Sequence, residues 1–253
     1  LQLVIGIEPP MGKHAQLGVI VHEIIDHSTN NGIILPDAIR DMYDAIEQWN
    51  LKVNDEYSII SMDLEETGET CLKNYWKIKD QFNKDDKSEY NVKYSIDDDL
   101  PTISCTLDRI CFDGDNIHVH DWKTGRAMSG KKFVEDLQPP LYLYGAKKEF
   151  GIMPKSFTLN YLHPDKHIVY DQIGDMAYQV KTSRNTYTLD VSESLEKTKD
   201  LLTGIKQQKF SMPNTITHEW RCSNMCWFGL SGKCAGTQQE TWKTLNDHYK
   251  KAV

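Results

Sequence analysis

No apolar run in these 253 residues approaches the ~20 that a membrane-spanning helix needs, and the first residues carry no secretory signal pattern. There is no internal repeat, no low-complexity tract and no stretch with the composition of an interdomain linker. Those absences argue against membrane, secreted and solenoid classes and predict a single domain over 1–253. The chain begins at Leu1 rather than Met, which leaves room for a preceding N-terminal segment. It also lacks an excess of positive charge: the net charge of −8 argues against nucleic-acid binding by indiscriminate attraction. With nothing pointing to secretion, the six cysteines are read as free thiols or metal ligands rather than disulfides.

A hydrophobic content of 39% with 26% charged residues is that of an ordinary globular protein. The charge is unevenly placed. From Asp37 to Asp99 there are 17 acidic and 8 basic residues, whereas from Trp122 to Val253 there are 13 acidic and 19 basic. A basic second half is compatible with a phosphate-lined partner on one side.

The stretch that organises the rest is TLDRICFDGDNIHVHDWKTG, Thr106 to Gly125. Ile110, Phe112, Ile117 and Val119 are apolar strand formers, and Asp113-Gly114-Asp115-Asn116 is turn chemistry, so a hairpin is expected. Asp121 and Lys123, two residues apart, face the same way on an extended strand. Bringing Asp108, Asp121 and Lys123 to one strand end is costly unless a divalent cation takes up the carboxylates. Alone, Asp121-x-Lys123 would read as an ion pair on a surface hairpin.

Around this hairpin the periodicities predict helices over about Ala15–Ser28 (Leu17, Ile20, Val21, Ile24, Ile25), Pro36–Trp49 and Thr67–Phe82. A strand over Tyr90–Ile96 follows, with Glu89 just before it. Beyond the hairpin come a helix over Lys131–Phe150, kinked or restarted at Pro139-Pro140, strands over Ser156–Leu162 and Met176–Leu189, and a helix over Val191–Gln207. The Lys131–Phe150 stripe is expected to be Phe133, Leu137, Leu141 and Tyr144.

Asp108-Arg109, Asp121-Trp122-Lys123-Thr124-Gly125, Gly18-x-x-x-His22 and Gln138-x-x-x-Tyr142 stand in the order and spacing of a known motif set. The chain resembles the PD-(D/E)XK nucleases, in the branch typified by the nuclease domain of RecB and by lambda exonuclease. Cys105 stands where that branch carries Gly, and is expected to narrow the room beside the metal. The resemblance implies an α/β fold with a restriction-endonuclease-like core: a central mixed β-sheet flanked by helices, about 1–210, followed by a small cysteine-containing lobe, about 211–253. It implies Mg²⁺ or Mn²⁺ held by His22, Asp108, Asp121 and the Trp122 carbonyl. Lys123 would orient water or offset transition-state charge, Gln138 would position the water or the scissile phosphate, and Thr124, Arg126 and Tyr142 would hold the DNA backbone. Glu89 is read as a residue supporting the ligands from behind.

Cys222-x3-Cys226-x7-Cys234 resembles the C-terminal cysteine segment of the iron–sulfur nucleases of the AddB and CRISPR-adaptation types. A [4Fe–4S] cluster needs four ligands, and no cysteine precedes His22. An iron–sulfur cluster, a zinc site and three ordinary thiols stand as alternative readings.

The leading expectation is a metal-dependent DNA exonuclease of recombination, repair or phage DNA processing. It would be cytoplasmic in a bacterial or phage-infected cell, with DNA and a helicase or recombination protein as partners and room for oligomerisation. A structure-specific or restriction-type endonuclease and a catalytically silent DNA- or helicase-binding homologue are the alternatives.

Overall fold

Three helices come first in the computed structural model, which describes residues 12–53, 58–83, 85–128 and 131–207. They are α1 (Lys13–Asn31), α2 (Leu35–Asn50) and α3 (Met62–Ile78), the last continued by a 3₁₀ turn over Lys79–Gln81. Leu17, Ile20, Val21, Ile24 and Ile25 are all buried on α1, as their spacing predicts. The first turn of α3 begins before Thr67, at Met62, where Leu64 joins the core and the Leu64 and Glu65 N–H groups donate to the Ser61 carbonyl.

Seven strands then form one sheet in simple chain order. They are β1 (Lys87–Tyr94), β2 (Ile103–Asp113), β3 (Asn116–Lys123), β4 (Ser156–Tyr161), β5 (Lys166–Gln172), β6 (Ala177–Lys181) and β7 (Thr186–Asp190). Every neighbouring pair is antiparallel except β3 and β4, which run parallel. A parallel connection needs a crossover, and two helices supply it: α4 (Lys132–Glu135) and α5 (Gln138–Phe150). The final helix is α6 (Val191–Lys206). The expected mixed sheet flanked by helices is therefore what the sequence forms.

Two differences have plain causes. The strand expected over Met176–Leu189 is a hairpin, β6 and β7, which turns at Thr182-Ser183-Arg184-Asn185. Its partner β5 was not anticipated, since it offers only Ile168, Val169 and Tyr170 as strand formers between polar residues. The helix over Lys131–Phe150 restarts rather than kinks: Pro139 and Pro140 occupy the first turn of α5, where the missing N–H costs nothing. The restart changes the phase, so Leu143 and Ala146 are buried while Leu137, Leu141 and Tyr144 are only half-buried.

Two apolar clusters hold the unit Met11–Lys206 together. One lies between the sheet and α5 and α6, around Leu107, Ile110, Val119, Leu143, Phe157 and Tyr170. The other joins α1, α2 and α3 and meets the sheet at Trp122 and Leu162. The sheet is thus covered on both faces near β2 and β3, which is why Leu107, Asp108, Arg109 and Ile110 form an unbroken buried run instead of alternating. The expected cysteine lobe lies outside the described residues, as do Cys222, Cys226 and Cys234. Among the described residues, no helix is long and apolar enough to cross a membrane.

Candidate active site

The hairpin of β2 and β3 sets the geometry. Gly114 adopts a φ of 56° at the turn, a conformation glycine takes without strain. Pairing of Ile110 with Val119 and of Arg109 with His120 fixes the register. Continuing that register brings Asp108 beside Asp121, and the Trp122 N–H donates to Asp108 Oδ2 at 2.6 Å. Both carboxylates are inside, Asp108 at 7% exposure and Asp121 at 1%.

Three further elements close on this pair. On α1, His22 points its Nδ1 toward Asp108 Oδ2 at 3.6 Å. Gly18, one turn earlier, lies under Thr124: a side-chain carbon there would stand 3.2 Å from the Thr124 hydroxyl, so a larger residue would push α1 away. On β1, Glu89 brings its carboxylate to the same place. The ligand atoms of His22, Glu89 and Asp108 all lie within 4.8 Å of one another. On α5, Gln138 donates from Nε2 to Asp121 Oδ1 at 3.0 Å and accepts from Lys123 Nζ at 2.8 Å. Lys123 Nζ also lies 2.7 Å from Asp121 Oδ2. That approach is an ion pair without hydrogen-bond alignment, and Asp121 Oδ2 remains a buried oxygen with no hydrogen-bond donor among the described residues.

Burial dominates the titration of these groups. It pushes the Asp108 and Asp121 carboxyls up to about 7, with the neighbouring Asp108 charge adding to the rise at Asp121. It holds His22 below its usual value, so the imidazole is neutral and free to act as a nitrogen ligand. Two carboxylates that resist ionisation and a neutral imidazole suit a hard divalent cation, which would neutralise the charge. Mn²⁺ accepts such a mixed oxygen and nitrogen set readily.

Glu89 is where sequence reading fell short. The strand begins at Lys87, three residues earlier than predicted, so Glu89 lies inside β1 instead of ahead of it. In the register of β1 and β2 the Ser88–Arg109 and Tyr90–Leu107 pairs flank Glu89, placing it across from Asp108. Its φ of 46° is a conformation that non-glycine residues rarely adopt, and such strain gathers at functional sites.

The remaining expectations fall as follows. Tyr142 is half-buried one turn from Gln138, its ring edge-on to Phe157. Arg126 is exposed on the loop after β3. Cys105 does not crowd the metal ligands: its sulfur faces α5, 3.3 Å from where a side-chain carbon on Gly145 would stand. The same carbon would meet a Tyr94 ring atom at 2.8 Å. Only glycine at 145 lets α5 lie this close to β1 and β2, and that closeness delivers Gln138 to Asp121.

The family model of the PD-(D/E)XK nuclease superfamily matches residues 1–228. The chain belongs to the PD-(D/E)XK nuclease superfamily. Membership implies a metal-dependent nuclease, and such nucleases typically use Mg²⁺ or Mn²⁺. No curated protein matches the chain. Among solved structures, the crystal structure of SSO0001 is similar at 16% identity and a TM-score of 0.40, covering 88% of this chain and 97% of that one. A likeness that distant adds no argument to the superfamily assignment.

Proposed function

We propose that this superfamily member is a Mg²⁺- or Mn²⁺-dependent deoxyribonuclease that degrades DNA from an end, in recombination, repair or phage DNA processing. The observation that carries the reading is the convergence of His22, Glu89 and Asp108 beside the buried Asp121 and its partners Lys123 and Gln138.

His22, Glu89 and Asp108 would hold the cation, joined by the Trp122 carbonyl and by Asp121 once Oδ2 turns from the ammonium. The bound cation supplies Lewis acidity and lowers the pKa of water. Lys123 would serve as the positive charge of the site, orienting the attacking water and offsetting charge growing on the phosphoryl oxygens. Gln138 fixes where that amine rests, since its two amide ends bind Lys123 and Asp121 at once, and its oxygen can turn to the same water. Thr124, Arg126 and Tyr142 would take the phosphodiester backbone.

Incubation of end-labelled linear DNA and closed circular DNA of the same sequence with Mn²⁺ tests the exonuclease reading. Loss of the linear form with the circle intact supports it. Cutting of both forms favours the endonuclease alternative, and cutting of neither removes both.

A further inference from the structure

Two of the candidate ligands stand on elements that are tied together by their neighbours. His22 and Asp26 are four residues apart on α1 and so share one helical face. Ser88 immediately precedes Glu89 on β1. The Ser88 hydroxyl donates to Asp26 Oδ1. Asn30, one turn further along α1, donates from Nδ2 to the same oxygen at 3.0 Å and reaches Ser88 Oγ at 3.5 Å. The three side chains form a clasp between α1 and β1, one turn from His22 and one residue from Glu89.

The clasp coincides with an irregularity in β1. The ladder pairs Ser88 with Arg109 and Tyr90 with Leu107, and Glu89 between them has a φ of 46°. Consecutive residues of a regular strand point to opposite faces, so with Ser88 turned to Asp26, Glu89 would point away from α1. The left-handed conformation breaks that alternation, and the Glu89 carboxylate comes within 4.8 Å of the ligand atoms of His22 and Asp108. Such a conformation persists only where the surroundings hold it. Ahead of it, Asp86 is pinned: its carboxylate accepts from the Asn83 N–H at 2.8 Å and the Phe112 N–H at 3.4 Å, and lies 3.4 Å from Arg109 Nη2. After it, Tyr90 rejoins the ladder. Between these two anchors, Ser88 is the residue tied to α1.

Seating α1 does not require the clasp. Leu17, Ile20, Val21, Ile24 and Ile25 bury that helix in the cluster it shares with α2, α3 and Trp122. Asp26 and Ser88 are half-buried and Asn30 is exposed, and hydrogen bonds so placed add little beside five buried aliphatic side chains. What the clasp can set is the offset between His22 and Glu89. We propose that the Ser88–Asp26–Asn30 clasp is a positioning device of the cation site: it holds β1 against α1 so that His22 and Glu89 stand at ligand distance before a cation arrives. The inference rests on the reading of His22 and Glu89 as cation ligands. Ser88 is a positioning residue that acts through Glu89.

Mn²⁺ calorimetry on the full chain, stripped with EDTA and without DNA, tests the proposal apart from cleavage. Ser88→Ala should bind Mn²⁺ about 10- to 100-fold more weakly, the scale of losing a group that supports a metal's ligands. Ser88→Thr keeps the hydroxyl and suits a strand, and should restore wild-type affinity. Asn30→Ala, at an exposed helical position, should weaken Mn²⁺ in the same direction by a smaller factor. In a Glu89→Ala background, Ser88→Ala should cost nothing further, because the residue through which the clasp acts is gone. Equal affinity in the wild type, Ser88→Ala and Asn30→Ala overturns the assignment, as does a loss that Ser88→Thr fails to restore or that persists in full without Glu89. A chain whose Mn²⁺ affinity depends on Ser88 in this way yet cuts no DNA keeps this inference and loses the nuclease proposal. A chain that cuts DNA with Mn²⁺ affinity indifferent to Ser88 keeps the nuclease and loses the clasp.

Discussion

The two halves of the candidate site are built differently. Around Asp108, three elements, α1, β1 and β2, bring His22, Glu89 and the carboxylate together with no cation of the protein's own among their ligand atoms. Around Asp121, β3 and α5 surround the carboxylate with Lys123 and Gln138, at 2.7 and 3.0 Å. The first half has donors for a positive charge; the second already holds one. Under the proposed mechanism that difference divides the tasks by electrostatics: the Asp108 half would take the cation, and the Asp121 half would hold the amine until the cation arrives. Coulomb attraction in a buried setting is strong enough that an ammonium and a divalent ion compete for the same carboxylate.

The largest effect is expected from Asp108→Ala, which breaks the first half. Cleavage should fall on the order of 10³-fold or more, the scale of losing a metal's several kcal/mol of transition-state stabilisation. The metal-free protein should keep its fold, since a buried carboxylate that resists ionisation is removed. Cleavage at the wild-type rate in Mn²⁺ would place the chemistry elsewhere.

Lys123→Ala breaks the second half. Here kcat should fall by roughly 10²–10³-fold, as for removal of one group that stabilises transition-state charge, while KM for DNA moves little. A rise in KM at unchanged kcat would make Lys123 a DNA-holding residue instead.

Glu89→Gln sharpens the contrast. The amide is nearly the same size but carries no charge, so cleavage should need about 10- to 100-fold more Mn²⁺ for half-maximal rate and approach the wild-type rate at saturation. Unchanged Mn²⁺ dependence would return Glu89 to the role of a strained surface residue.

The smallest effect is that of pH on the two halves together. The carboxyls of Asp108 and Asp121 are raised from about 3.9 in the unfolded chain to about 7. Between those values the two carboxyls hold more protons in the folded metal-free protein than in the unfolded chain, so their contribution to stability is greatest at the acid end and falls as pH rises toward 7. Metal binding needs the deprotonated forms, so Mn²⁺ affinity should rise over the same window and level off above it. Urea unfolding in EDTA and in Mn²⁺ at pH 5 and pH 8 checks both signs; parallel pH trends with and without metal would contradict them.

The contrast between the halves also tracks what could be read from the chain. The Asp121 half was legible because its parts are local or carried by strong signals: a Gly-containing turn fixes the hairpin, period two puts Asp121 and Lys123 on one face, and paired prolines mark the start of the helix bearing Gln138. His22 was legible on α1, whose five buried aliphatics leave no doubt about its period. Glu89 was not. It depends on where β1 starts, on a backbone conformation forced by its surroundings, and on a register with Asp108 that no local pattern encodes. Strand β5 escaped for a related reason, since its burial comes from β4 and β6 rather than from its own composition. The close approach of α5, set by Gly145 against Tyr94 and Cys105, joins residues some 40 to 50 positions apart and appears only once the sheet exists.

The claim that a divalent ion belongs to the Asp108 half is tested most directly by Mn²⁺ titration, followed by calorimetry, of the wild type, Glu89→Gln and Lys123→Ala side by side at pH 7.5 without DNA. The account predicts saturable binding in the wild type, binding weakened about tenfold or more in Glu89→Gln, and binding as tight or tighter in Lys123→Ala, where the competing ammonium is gone. Equal affinity in the wild type and Glu89→Gln, with binding lost in Lys123→Ala, would contradict it.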